Sequence, residues 1–343
     1  MKKVNIILMG FGNVGQAFLR VVHEKEGLCR KRYGLDIKFY SIFRQGGALY
    51  SSQPLNPDEI LEKYSSSTSF RENPHWKSGV PLTEPLESIR PGVLVECTPT
   101  NIKNGEPGLN HIHQALDRGW HVVTANKGPL VVDFPGLKEK ARENSVDLRF
   151  SGATAAALPT LDVALYSLAG TEISRIEGIL NGTTNYILTR MKEGIEYQKA
   201  LKEAQFKGIA EPDPTLDVGG WDTASKILII SNAVLHTDFS LADVKVEGMT
   251  AVPSHLLNEG KEEGRALKLL GKITKEAGSF HLEVGLTLID KDHPLFGVDG
   301  TNKGITFLTD TMDSITVIGG KSDPGGTGAS LLKDIINIYF WDR

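Results

Sequence analysis

The 343-residue sequence has little cysteine, no basic excess and no long apolar run, and each shortage excludes something. Its two cysteines, Cys29 and Cys97, are too few for a disulfide framework or a four-sulfur zinc site. They suit a reducing compartment. Lysine and arginine number 38 against 42 acidic residues, for a net charge of -4, which leaves no electrostatic footprint for nucleic acid. No apolar stretch approaches the roughly 18 residues that mark a membrane span. The apolar run at residues 4–9 is too short for a signal-peptide core, and no small-residue cleavage site follows it. The expectation is a soluble, cytoplasmic protein whose partner is a small molecule, with neither nucleic acid nor membrane involved.

The composition is that of an ordinary globular chain, 40% hydrophobic and 23% charged. Its length suits two domains at roughly 150 residues each. Short apolar runs at 4–9, 37–43, 93–96, 120–124 and 147–150 predict strands, with helices at 13–26, 109–117 and 134–143 between them. A Gly/Ser/Pro-rich passage at 45–80 interrupts the alternation and holds one expected helix, at 57–64. Strands alternating with helices call for an α/β fold with a doubly wound parallel sheet of the Rossmann type, spanning 1–150. Beyond 151 the pattern changes to that of an α+β domain. A strand at 173–179 leads through a capped turn at Asn181 into a helix at 186–192. Helices at 197–207 and 222–235 follow, then mixed strands such as 281–289 and 314–318. This second domain, 151–324, is expected to hold substrate and the dimer contact, and the segment from 325 to return to the first domain as a closing helix.

Gly10-Phe11-Gly12-Asn13-Val14-Gly15 lies between a predicted strand and a predicted helix. In a dinucleotide loop the first glycine makes the tight turn, the second admits the pyrophosphate, and the third lets helix pack on strand. The pyrophosphate then rests on the helix N-terminus. The second strand usually ends in an acid that holds the ribose 2′-hydroxyl of NAD. Here it ends Ser41-Ile42-Phe43-Arg44, with no acid and with an arginine suited to a 2′-phosphate, which favours NADP over NAD.

The segment Ala210-Glu211-Pro212-Asp213-Pro214-Thr215-Leu216-Asp217-Val218-Gly219-Gly220-Trp221-Asp222 places four carboxylates on a Pro/Gly-rich loop. Lys226 follows Asp222 by four residues, one helical turn on the same face. On spacing alone three readings stand: a solvated loop, a divalent-metal site built from oxygen ligands, and a plain surface ion pair.

Together with Gly178-Ile-Leu-Asn-Gly-Thr-Thr-Asn-Tyr-Ile-Leu188, with Ala125-Asn126-Lys127 and with Gly325-Gly326-Thr327, that segment resembles the homoserine dehydrogenases over nearly the whole chain. The resemblance implies an oxidoreductase that interconverts L-homoserine and L-aspartate 4-semialdehyde with NAD or NADP, in threonine, methionine and isoleucine biosynthesis. It implies a homodimer as well. It makes Lys226 the general acid and base and Asp222 the group that orients it. Glu211 and Asp217 would hold the substrate ammonium. Lys127 would stand between cofactor and substrate, while Thr98, Thr100, Gly208, Gly325 and Gly326 would touch the cofactor. The family commonly has a glycine-rich turn before a Leu/Ile-Pro pair, whose backbone carbonyls can hold a monovalent cation, Na+ or K+. Here that turn reads Gly152-Ala-Thr-Ala-Ala-Ala-Leu158-Pro159, one residue short and without inner glycines, so Gly152, Ala155 and Ala157 are the candidate carbonyls. No appended regulatory domain, and no threonine feedback through one, is expected after Gly326.

Two other classes compete with this one. A semialdehyde dehydrogenase working through a thioester needs a cysteine nucleophile with a histidine partner, and Cys97 falls at a nucleotide-edge strand, where a buried small side chain is the simpler reading. A non-catalytic NADP sensor need not keep Lys226, Asp222 and Lys127 together. His111 and His113, two apart on a predicted helix, read as ordinary surface or core residues.

Overall fold

Six of the eight residues of β1 (Lys2–Met9) are buried, the pattern of a central parallel strand covered on both faces. The remaining strands of its sheet are β2 (Leu35–Arg44), β3 (Gly47–Tyr50), β4 (Trp76–Ser78), β5 (Val93–Glu96), β6 (His121–Thr124) and β7 (Leu148–Arg149). Their order is β4-β3-β2-β1-β5-β6-β7. β1 runs parallel to both β2 and β5, and β6 and β7 continue parallel. β3 and β4 add an antiparallel edge within the 45–80 passage, where only a helix was expected. From β1 the chain builds outward to β2 and then crosses to β5 on the other side. That reversal puts the topological switch point at the carboxyl ends of β1 and β5, where such sheets take their ligands.

The computed structural model describes residues 1–250, 252–320 and 323–340. It divides into two units, Met1–Ala153 with Asp323–Arg343, and Thr154–Ser322. In the first unit, Phe18, Leu19 and Val22 of helix Asn13–Glu24 share one apolar cluster with Val4, Ile6 and Leu8 of β1. Leu331, Leu332, Ile335 and Ile338 of helix Pro324–Phe340 complete that cluster. The same helix is tied by Asp334, which accepts bonds from Ser151 N at 2.9 Å and Ser151 Oγ at 2.8 Å. Burial pushes the Asp334 carboxyl up, against the pull of Lys333 and Ser151.

The second unit is a six-stranded sheet of β8 (Ile173–Ile179), β9 (Val244–Val246), β10 (Ala266–Glu276), β11 (Ser279–Ile289), β12 (Lys303–Thr309) and β13 (Ser314–Gly319). The order is β13-β12-β8-β10-β11-β9, antiparallel except where β9 meets β11. Ala277 and Gly278, at φ 49° and 89°, close the β10–β11 hairpin with the left-handed pair such a turn requires. Helix Trp221–Val234 lies on β10 where Gly271 stands, and a Cβ there would sit 2.6 Å from Ile227 Cγ2. Helix Phe134–Glu143 and strand Ile173–Ile179 have the expected bounds. The helix after Asn181 begins at Gly182, earlier than expected, because the Asn181 side chain caps it directly by accepting Thr184 N at 2.9 Å.

Candidate active site and cofactor loop

Gly10 follows β1 at φ +90°, and a Cβ on it would lie 2.6 Å from the Cys97 carbonyl oxygen; on Gly15 it would meet the Gly10 carbonyl at 2.1 Å. β1, the loop and the helix are thus packed at backbone distance, as a dinucleotide loop demands. Gly12 faces open space. It precedes helix Asn13–Glu24, whose first turn has no acidic residue and no side-chain cap. Phe11 is buried against Phe70 (ring centroids 5.2 Å apart), and Asn13 and Val14 form the first turn.

Arg44 ends β2 with its guanidinium 5.6 Å from the Phe70 ring centroid and Nη1 donating to Ser65 O at 3.3 Å. One aromatic ring therefore seats both the glycine loop and the arginine. Arg71 lies on the same edge, donating to Gln45 O at 3.4 Å.

At the end of β5 the structure shows a group that the sequence did not disclose. Glu96 is fully buried; Thr98 N (2.6 Å) and the Thr98 hydroxyl both donate to its Oε1, and His111 Nδ1 lies 2.8 Å from Oε2. Asn126 Nδ2 reaches Thr98 Oγ1 at 3.2 Å, and Asn126 Oδ1 accepts Gly128 N at 3.0 Å, capping helix Lys127–Val132. Thr98 and Lys127 are thereby fixed by one polar network, in which the half-buried His111 takes part. Thr100 is half-buried just beyond it. Burial, reinforced by the Glu96 charge, pushes the Cys97 thiol well above its usual pKa, the opposite of what a thiolate nucleophile needs.

In the second unit Asp222 sits in the first turn of helix Trp221–Val234 and Lys226 one turn later. Lys226 Nζ donates to Asp222 Oδ2 at 2.6 Å and to Leu180 O at 2.8 Å, and both side chains are 13% exposed. Asn181 Nδ2 donates to Asp217 Oδ1 and Asp222 Oδ2, each at 2.7 Å. One amide thus holds two carboxylates side by side, with the ammonium against one of them. Burial, with the Asp222 charge, pushes the Asp217 carboxyl up, while Asn181 and Lys226 pull it down. Asp213 is turned back on Thr215 N at 3.1 Å. No group of three or more His, Cys, Asp and Glu side chains able to hold a metal occurs among the described residues.

Glu211 is exposed, and its carbonyl accepts from Gln205 Nε2 at 3.3 Å. Gly208, at φ +69°, ends helix Tyr197–Phe206. Gly325 is exposed and Gly326 N donates to Asp323 Oδ1 at 2.6 Å, so that amide is already held. Gly152 lies within helix Ser151–Ala155, and the Ala155 carbonyl accepts from Lys303 Nζ at 2.6 Å.

A glycine loop at the switch point of a doubly wound sheet, and elsewhere a lysine held against paired carboxylates, define a nicotinamide-dependent dehydrogenase. Two family models match the chain: "Homoserine dehydrogenase, NAD binding domain" over residues 10–151 and "Homoserine dehydrogenase" over 159–336. The homoserine dehydrogenase of Methanocaldococcus jannaschii is 36% identical over 337 residues, 98% of each chain. The NAD(+)-dependent homoserine dehydrogenase of Pseudomonas canavaninivorans is 30% identical, over 99% of this chain and 97% of that one. Among solved structures, the homoserine dehydrogenase of Thermoplasma acidophilum superposes with a TM-score of 0.82 at 26% identity, covering 98% of this chain and 99% of that one. A hyperthermophilic archaeal homoserine dehydrogenase in complex with NADPH gives 0.83 at 25%, covering 98% of each. The chain belongs to the homoserine dehydrogenase family. It is an oxidoreductase of amino-acid biosynthesis that interconverts L-homoserine and L-aspartate 4-semialdehyde by NAD(P)-dependent hydride transfer.

Proposed function

We propose that Lys226 is the proton donor and acceptor of this reaction, carried by one observation: its ammonium, Asp222, Asn181 and Asp217 form a single hydrogen-bonded group. When the aldehyde is reduced its oxygen gains negative charge, and Lys226 delivers a proton to that oxygen; in the opposite direction the neutral amine takes the hydroxyl proton. Asp222 and the Leu180 carbonyl keep the ammonium from wandering. Asp217 and Glu211 supply the negative charge that receives the substrate ammonium.

The residues of the first unit fit a dinucleotide. The open face of Gly12 and the uncapped helix start at Asn13 suit a pyrophosphate, which the helix N-terminus attracts. The nicotinamide, when bound, supplies or accepts the hydride. Phe11, Val14, Thr98, Thr100 and Lys127 line the cofactor's path, with Lys127 as a second polarising group; Gly208 and Gly326 are assigned to the same role by resemblance alone. Arg44, with no acid beside it on β2, favours NADP over NAD. Relatives use both: one is named NAD(+)-dependent and another was solved with NADPH. Residues 1–150 with the helix from about 325 form the cofactor domain in this reading, and 151–324 the substrate and dimer domain. The working form is a cytoplasmic homodimer. The exposed Leu308 and Ile318 in the second unit's sheet support a partner surface there.

Steady-state rates with homoserine and with aspartate semialdehyde, using each nicotinamide cofactor, test the assignment in wild type and Lys226→Ala. The variant should lose on the order of 10²-fold or more in turnover, the usual worth of a general acid, while still binding cofactor. Near wild-type turnover would remove Lys226 from the proton path.

A further inference from the structure

Ala155 ends the short helix Ser151–Ala155, and its carbonyl oxygen has two lone pairs to offer. Both are taken: Leu158 N donates at 3.2 Å and Lys303 Nζ at 2.6 Å. Lys303 is the first residue of β12 and only 1% exposed, so its ammonium reaches the turn from inside the sheet. Burying a charge this deeply is costly without hydrogen bonds to receive it. The turn is built to receive it. Thr154 Oγ1 and Thr160 Oγ1 close it at 2.8 Å, and Ala156 adopts φ +55° although it is not glycine. The Gly320 backbone lies so close that a Cβ there would be 2.7 Å from Leu158 N.

Carbonyls gathered at a helix end carry negative partial charge and attract a cation. A metal ion held by oxygens needs several free lone pairs around one point. The monovalent cation implied by the family resemblance does not fit this donor set, because its central carbonyl is already saturated by an amide and an ammonium. We propose that the Lys303 ammonium is the built-in cation of the turn at 154–160, and that this chain requires neither Na+ nor K+ there. The lysine brings that charge tethered to β12, at a turn without inner glycines.

The test uses the whole protein, exchanged into chloride salts of tetramethylammonium, Na+ or K+ at one ionic strength. The unfolding midpoint reads the outcome without reference to which residues do the chemistry, and turnover is followed beside it. Wild type should give the same midpoint and the same turnover in all three salts. A saturable rise in either with Na+ or K+ overturns the proposal. In Lys303→Ala the midpoint should fall in tetramethylammonium and rise again with K+ or methylammonium. A variant that keeps the wild-type midpoint, or falls and ignores every cation, also overturns it. If Lys303→Ala does not fold, the wild-type salt series decides alone.

Discussion

Replacing Asn181 with alanine removes a helix cap and the bridge between two carboxylates in one step. The cap alone is worth about 1 kcal/mol. Asp217 and Asp222 would then face each other without the amide between them, so the homoserine KM should rise as well as stability fall. Urea unfolding and steady-state kinetics on Asn181→Ala check both, and an unchanged KM would leave only the cap. Asp217 carries a second consequence. Its folded pKa lies above the ordinary value, so its ionised form is disfavoured in the native state, and its contribution to stability declines as pH rises from 3.8 through the folded value. Asp217→Asn should therefore unfold at a higher temperature than wild type at pH 7, with no gain below pH 3.8, while binding homoserine worse. Arg44→Ala belongs to the same scale. Calorimetric titration of NADPH and NADH should show the preference for NADPH reduced by about 1–3 kcal/mol, the worth of a hydrogen bond to a charged group. An unchanged ratio would make Arg44 only a seat on Phe70.

Helices Gly182–Lys192 and Tyr197–Phe206 are joined by Glu203, which accepts Tyr186 Oη at 2.8 Å, Arg190 Nε at 3.0 Å and Lys207 Nζ at 2.7 Å. The Lys207 and Tyr186 bonds, then Arg190, hold its pKa down to about 2. A depressed carboxyl stabilises the fold above its free value of 4.5 and loses that contribution as pH falls toward 2. Glu203→Gln should lower stability near neutrality and flatten the acid limb of a pH–unfolding curve; a parallel limb would mean the contact is idle. Legibility at this scale followed period and length. Helix Asn13–Glu24 and strand Ile173–Ile179 announce themselves because apolar spacing and flanking glycines agree. The β3–β4 edge did not, since four- and three-residue strands are too short to show a period. β10 and β12 escaped for another reason: each buries a lysine, Lys268 or Lys303, at a position that an apolar pattern would fill. At the site, the Asp222–Lys226 pair was readable from its helical spacing. Glu96–His111 and the Asn181 bridge were not, being contacts across 15 and 36 to 41 residues that no local pattern encodes.

Within the whole molecule, the unit that begins at Met1 is not made from one continuous stretch. Leu331, Leu332, Ile335 and Ile338 enter the same apolar cluster as β1, and Asp334 anchors them to Ser151. Deleting the helix Pro324–Phe340 should therefore strip the cofactor unit of its cover. The truncated protein is expected to bind a hydrophobic dye and to lose NADPH affinity, whereas retained affinity would show that the first unit closes without it. Synthesis runs from the N-terminus, so the nucleotide-binding stretch at 1–153 leaves the ribosome before the helix Pro324–Phe340 that closes its core, with all of Thr154–Ser322 made in between. The six-stranded sheet of the other unit lies wholly within Thr154–Ser322 and so is made before that helix. The first unit is thus completed only after the second has been made, and a chain stalled before Pro324 would present the second unit whole beside a first unit that lacks its closing helix.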